Sequence, residues 1–273
     1  MKRPAATVLL HAVLLVGAVA ALAPLAWMVA ASLMPTGEAN SFPPRFLPSR
    51  PTLIHYQELF TRLNIGRTFG SSLLVASATT LVSLLFNSMA GYAFAKLRFP
   101  GRDRLFGALL AAMVIPAPIA MLPLFLLLRS LGLVNSYAGV VLPAASTILG
   151  VFLIRQFARG IPDDLLDAAR LDGAGELKLY WKIVLPLLRP VLSTLAIVTF
   201  LATWNDFIWP LIVLTDERRY TLPVALASLV GEHVQDTELM MAGSVITILP
   251  ALLVFLALQR AYVRGVMAGG VKG

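Results

Sequence analysis

Cysteine is absent from the 273 residues. That excludes a disulfide framework and any thiolate metal site. Charge is also scarce: 13% of residues are Asp, Glu, Lys or Arg, where a soluble domain carries about 25%. Histidine occurs three times, at His11, His55 and His233, each alone in the sequence, so spacing points to no metal cluster. Glycine is nowhere followed by lysine. A phosphate loop ends in Gly-Lys-Ser/Thr so that its backbone amides cradle phosphate, so the chain does not hydrolyse ATP by that route.

In place of charge there is apolar surface. Hydrophobic residues make up 58% of the chain, and the mean hydropathy is +0.82. These values describe an integral membrane protein. The net charge of +8 is then read as a topology signal, and no nucleic acid is expected as a partner.

Six apolar runs follow one another, each near the roughly 20 residues that cross a core of about 30 Å. They cover 7–33, 69–95, 105–128, 137–157, 191–214 and 240–258. The first follows Lys2 and Arg3 and is far longer than a signal-peptide core of about 7–15 residues, so it reads as an uncleaved span. Helices are expected, because they satisfy their own backbone bonds in lipid. Pro116, Pro118, Pro123, Pro143 and Pro250 are expected to kink or interrupt them. Between the first two spans, 34–67 is rich in proline, with a short helix expected near 55–63. With the N-terminus inside, the inner segments hold fifteen of the 22 Lys and Arg residues. The bias places both termini, and segment 158–190, in the cytoplasm. The loop 215–239 is then external. We expect one transmembrane domain over 1–273, with its core near 68–260, a cytoplasmic loop at 158–190 and a cytoplasmic tail at 261–273.

One stretch departs from the apolar pattern. Between Pro162 and Pro190 lie five acids and four basic residues. Pro162 suits a first helical turn. Asp163, Asp164 and Asp167 favour a helix N-terminus. Asp172-Gly173 breaks the helix, with Gly173 able to take a left-handed conformation. A second helix is expected from Glu176 to Leu185, ending before Pro186. By chemistry alone, this helix, glycine turn and helix describe either a solvated loop or a docking knob.

The run Asp167-Ala168-Ala169-Arg170-Leu171-Asp172-Gly173-Ala174, followed by Leu185-Pro186, resembles the Glu-Ala-Ala loop of permease subunits in binding-protein-dependent ABC importers. The spacing matches; Asp167 stands where Glu is usual. The C-terminal residues Gly265, Gly269 and Lys272 sit in a tail that resembles the end of carbohydrate permeases similar to the maltose importer's smaller membrane subunit. The resemblance implies an all-α, six-helix permease of the type I importer fold in a bacterial inner membrane. It implies that the 167–174 helix couples to a cytoplasmic ATPase together with Leu185 and Pro186, and that Gly265, Gly269 and Lys272 reach the same ATPase. It further implies a second permease, completing a heterodimer, two ATPase copies and an extracytoplasmic solute-binding protein probed by the external loop. The chain itself binds no cofactor, since ATP is used by the ATPase, and it is not an enzyme.

The solute path is less specified. Asp206 is the only acid inside an expected span, in Trp204-Asn205-Asp206-Phe207-Ile208-Trp209. Aromatic rings stack on sugar faces and Asn205 and Asp206 offer bonds to hydroxyls; the alternative is a carboxylate reaching external water beside interface aromatics. Asn87 either packs helices together or lines the path. Rival readings are an importer of a non-sugar solute, an ion-coupled secondary transporter relying on Asp206, and a membrane scaffold without a solute path.

Overall fold

The computed structural model describes residues 4–62, 64–232 and 236–270. Among them every regular element is helical. The chain runs through α1 (Pro4–Ala31), α2 (Ile54–Arg62), α3 (Ile65–Lys96), α4 (Arg102–Ala112), α5 (Ala117–Ser130), α6 (Tyr137–Val141) and α7 (Ile148–Arg159). It continues through α8 (Asp163–Leu171), α9 (Glu176–Leu179), α10 (Leu185–Leu187), α11 (Arg189–Trp204), α12 (Ile208–Val213), α13 (Leu222–Glu232) and α14 (Thr237–Gly270).

Three of the expected spans are single helices: 7–31 within α1, α3, and 237–257 within α14. The others are broken. The pair α4 and α5 bends by 107°, and the pair α6 and α7 by 43°. The run over 105–128 is thus interrupted, as its prolines led us to expect, and forms two helices. Pro116 caps α5 with ψ 132°, lacks an N–H, and pushes the residue before it out of helical geometry. Pro143 lies in a 3-10 turn at Leu142–Ala144, between α6 and α7. Pro118 falls in the first turn of α5, where no donor is needed, while Pro123 and Pro250 sit inside unbroken helices.

The expected helix over 191–214 begins earlier and stops midway. It starts at Arg189 and ends at Trp204, and α12 resumes at Ile208. Pro210 cannot donate to the carbonyl four residues back, at Asp206, so a continuous helix would leave that group unbonded. The expectation at Pro186 is corrected as well. The helix starting at Glu176 does not end before Pro186 but continues to Leu187, through a π-helical turn at Tyr180–Val184. The widened turn accommodates the missing proline donor, and the chain then bends by 77° into α11.

The residues divide into two compact units, 1–66 with 225–250, and 67–224 with 251–273. In the first, no residue of the most apolar window of α1 is buried in the chain; that surface is left for lipid or another chain. The polar segment after α1 is pinned by hydrogen bonds: Ala39 N donates to Glu238 Oε1 at 2.7 Å, and Ser32 and Tyr56 share a bond of 2.8 Å.

The second unit has two cores. One gathers Tyr92, Ile154, Leu166, Leu179, Tyr180, Val184 and Val191. The other gathers Val75, Leu128, Val140, Trp209 and Val213. The helices α3 and α7 approach closely: a Cβ on Gly91 would stand 2.5 Å from Ile154 Cγ2 and 3.0 Å from the Arg155 backbone N. Asn87 sits one turn earlier, fully buried. Its Nδ2 donates to Ser83 Oγ at 2.8 Å, and its Oδ1 accepts from Thr147 N at 2.9 Å and Ser146 Oγ at 3.2 Å.

Gly91→Ala is expected to lower stability by about 1–3 kcal/mol through overpacking. Asn87→Ala is expected to cost a similar amount by leaving the Thr147 amide unpaired. Thermal melting of the detergent-solubilised protein checks both, and an unchanged midpoint would contradict the packing described.

Candidate functional site

The polar island is a helical hairpin. Its first helix, α8, is preceded by Pro162 as N-cap, not in the first turn as expected, with ψ 133°. An extended cap residue lets the chain enter the helix at Asp163, and Asp163 and Asp164 lie beside the positive end of the dipole.

The turn that closes the helix is built in backbone bonds. Ala174 N donates to Ala169 O at 3.0 Å, and Gly173 N donates to Arg170 O at 3.0 Å. This pair is the Schellman motif, which needs a left-handed residue at the position of Gly173. Gly173 has φ +80°. The predicted residues Asp167, Ala168, Ala169, Asp172, Gly173 and Ala174 are thus brought together in a single turn and its helix.

Charged side chains brace the hairpin. Arg170 Nη1 donates to Asp167 Oδ1 at 2.7 Å, and Arg170 Nε donates to Glu176 Oε1 at 2.8 Å across the turn. Tyr92 Oη donates to Glu176 Oε2 at 2.7 Å, tying the hairpin to α3. The bonds to Glu176, then to Asp167, hold the Arg170 guanidinium above its already high pKa. At the base, Lys96 Nζ donates to Asp163 Oδ1 at 2.6 Å and to Ile161 O at 2.5 Å. The hydrogen bond from Lys96, then its charge, keeps the Asp163 carboxyl below the ordinary range. Lys96, Tyr92 and Glu176 lie outside the expected site residues, and Arg170 lies within the 167–174 run with no individual role expected of it. The three-residue spacing of Asp167 and Arg170 on one helix face was a local signal for part of this; the partners from α3 left none. A cleft of about 900 Å³ lies here, lined by Lys96, Arg98, Arg102, Asp163, Arg170 and Glu176 among others.

Beneath the turn, Leu166, Leu179, Tyr180 and Val184 are buried with residues of α3, α7 and α11. Ser88 and Tyr180 share a hydrogen bond of 2.7 Å. Leu185 packs partly buried against the same core, next to Pro186. The outer surface is different. Leu171 is 90% exposed, Leu177 66% and Trp181 49%. A hairpin rooted in the span core therefore presents apolar side chains outward, among charges.

The other predicted residues lie elsewhere. Trp204 is buried between Phe69, at 5.6 Å, and Phe200, at 5.8 Å between ring centroids. Trp209 is buried and its Nε1 donates to Gly139 O at 3.3 Å. Asn205 is exposed and donates to Leu201 O. Asp206 is half-buried, and its Oδ1 accepts from Trp209 N at 3.4 Å. These four residues build the break between α11 and α12. Asn87 belongs to the α6–α7 break, with its polar atoms bonded to Ser83, Ser146 and Thr147. Gly265 and Gly269 lie near the end of α14, and Lys272 is outside the described residues.

Residues 87–268 match the family model described as binding-protein-dependent transport system inner membrane component. The chain is 42% identical over 253 residues to the arabinooligosaccharides transport system permease protein AraQ of Halalkalibacterium halodurans, covering 92% of this chain and 91% of that one. It is 32% identical over 263 residues to the diacetylchitobiose uptake system permease protein NgcG of Streptomyces coelicolor, covering 95% and 87%. Among solved structures, a bacterial ABC transporter involved in import of the acidic polysaccharide alginate matches with a TM-score of 0.84 at 24% identity, over 95% of this chain and 98% of that one. That likeness is one of fold.

Two outcomes are expected of the hairpin. Gly173→Val forces a branched side chain into left-handed geometry, at about 1–2 kcal/mol; hydrogen exchange of the 163–176 amides should quicken, and unchanged protection would refute the turn's role. Asp163 has a lowered pKa in the fold, so its contribution is complete above the ordinary carboxylate value of about 3.9 and is lost as pH falls through the lower folded value. Exchange of the 161–166 amides against pH reads this, and Asp163→Asn should abolish the dependence.

Proposed function

The chain belongs to the inner membrane components of binding-protein-dependent transport systems, and on that premise we propose that it is a permease subunit of an ATP-driven importer of sugars or oligosaccharides. The sugar assignment is supported by the names of the relatives, which concern arabinooligosaccharides, diacetylchitobiose, lactose and trehalose. The permease works with a second, non-identical permease, two cytoplasmic ATPase copies and an extracytoplasmic solute-binding protein. Both termini face the cytoplasm, as the distribution of Lys and Arg argues. The tail residues Gly265, Gly269 and Lys272 reach the ATPase in this reading.

One observation carries the proposal: the hairpin at Pro162–Pro190 exposes Leu171, Leu177 and Trp181 while its base is buried with the spans. The exposed apolar residues supply a partner's contact area. The buried base passes motion from the partner to α3, α7 and α11, because packed elements shift as units. When ATP closes the ATPase pair, the hairpin follows, and the membrane helices exchange inward and outward access. Asn205 and Asp206 are our candidates for solute contact at the α11–α12 break. Trp204, Trp209 and Asn87 support the path by holding its helix breaks.

Leu171→Asp tests this. At 90% exposure the change leaves the fold intact, and it places an unpaired charge in the proposed contact. ATPase activity stimulated by the solute-loaded binding protein should fall at least about tenfold, or roughly 1.4 kcal/mol, with membrane insertion unchanged. Full stimulation and uptake would overturn the docking role. Uptake by the purified chain alone, driven by an ion gradient, would favour a secondary transporter.

A further inference from the structure

His55, Glu58 and Asp236 meet within the unit formed by residues 1–66 and 225–250. We propose that they form a divalent transition-metal site, with Zn2+ as its natural occupant. The inference goes beyond the importer reading and uses it only to place the site on the external side.

The argument begins with one buried nitrogen. His55 is fully buried, and its Nε2 lies 2.9 Å from the Met34 carbonyl oxygen. A carbonyl only accepts, so Nε2 carries the hydrogen. In the neutral ring Nδ1 then holds the lone pair. That atom is buried and has no hydrogen-bond partner among the described residues. Leaving such an acceptor unsatisfied costs about 1–3 kcal/mol.

What faces Nδ1 is another acceptor. Asp236 Oδ1 stands 3.9 Å away, and one oxygen of Glu58 completes a group whose atoms all lie within 4.8 Å of one another. A gap of 3.9 Å is too long for a hydrogen bond. Two metal–ligand bonds of about 2.0–2.2 Å span it. A cation between the three groups supplies the partner that Nδ1 lacks.

The surroundings fit a metal ligand set. Metal-bound imidazole usually donates its other N–H to a carbonyl or carboxylate, and ligating carboxylates are themselves hydrogen-bonded. Here Met34 O accepts from Nε2, and Asp236 Oδ1 accepts from Leu239 N at 3.0 Å. His55 and Glu58 are three apart on α2 and share a face. One imidazole nitrogen with two carboxylates suits Zn2+, leaving a fourth position for water. Ca2+ and Mg2+ prefer oxygen alone. The bound ion would clamp α2 to the N-terminal end of α14.

The test uses the full-length chain in its purified transporter, stripped with chelator and titrated with Zn2+ against a chromophoric zinc indicator. One equivalent per chain is expected at micromolar free Zn2+, with a rise in melting temperature, and no competition from millimolar Mg2+ or Ca2+. Asp236→Asn keeps a good N-cap residue and removes an anionic ligand. It and Glu58→Gln should each weaken binding at least about tenfold and abolish the melting shift. His55→Ala should do the same, and the two partly exposed variants keep the test decisive if that buried change fails to fold. No Zn2+ uptake, or uptake untouched by Asp236→Asn and Glu58→Gln, would overturn the site.

Discussion

A break in a membrane helix frees backbone groups that lipid cannot bond. This constraint governs the second unit, where three helix pairs are bent. At the α6–α7 break the amide of Thr147 is received by Asn87 Oδ1, and Thr147 Oγ1 in turn accepts from Gly150 N. The α11–α12 break turns Asp206 toward the Trp209 amide. Beyond α12, Asn135 Oδ1 accepts from the amides of Thr215 and Asp216, each at 3.1 Å. At these three places a polar side chain stands beside the opening, whereas at the α4–α5 break the amides of Met113, Val114 and Ile115 are taken by the carbonyls of Leu110, Ala111 and Ala112. Broken helices with bonded ends give segments of span that tilt against one another without exposing bare peptide groups.

The island depends on the same economy of bonds in water. Its turn is closed by two backbone bonds that only a left-handed residue permits. Arg170 then joins both arms, and Tyr92 extends the join to α3. None of these charged contacts is deeply buried, and surface pairs are individually weak. Their value lies in sharing: Glu176 accepts from both Arg170 and Tyr92, so the two arms and the span keep a common geometry. Leu166 and Leu179 beneath supply the larger energy, since fully burying a leucine contributes about 1.5–3 kcal/mol. The outcome is a braced hairpin rooted in the core of the spans.

Much of this was legible in the residues. Apolar length identified α1, α3 and α14 because nothing interrupts them. The helix, glycine and helix of the island were legible because Asp172-Gly173 carries turn chemistry in itself. The bends were less so. Proline marks a place where a helix is weakened, but Pro123 and Pro250 lie in intact helices while Pro116 ends one. Whether a neighbouring group repairs the lost bond is decided in three dimensions. Asn87 is the clearest case. Its type and depth in the span suggested either packing or solute contact, and only the placement of Thr147 and Ser146 beside it reveals what its amide bonds. Likewise His55 and Asp236 are 181 positions apart, and no spacing rule joins them.

The position of Asp167 links sequence and mechanism most closely. Related loops carry a Glu there by resemblance, and one fewer methylene shortens the reach of the carboxylate. In this chain the shorter acid meets Arg170 three residues on, at 2.7 Å. Arg170 also holds Glu176. The negative charge is therefore matched inside the hairpin, and it braces the two arms. An outward role for charge would require this pair to open. The exposed leucines need no such exchange: Leu171 and Leu177 already stand open on the outer surface. The docking proposed for this loop therefore falls to its apolar residues, because the charges of Asp167, Arg170 and Glu176 are paired with one another within the hairpin.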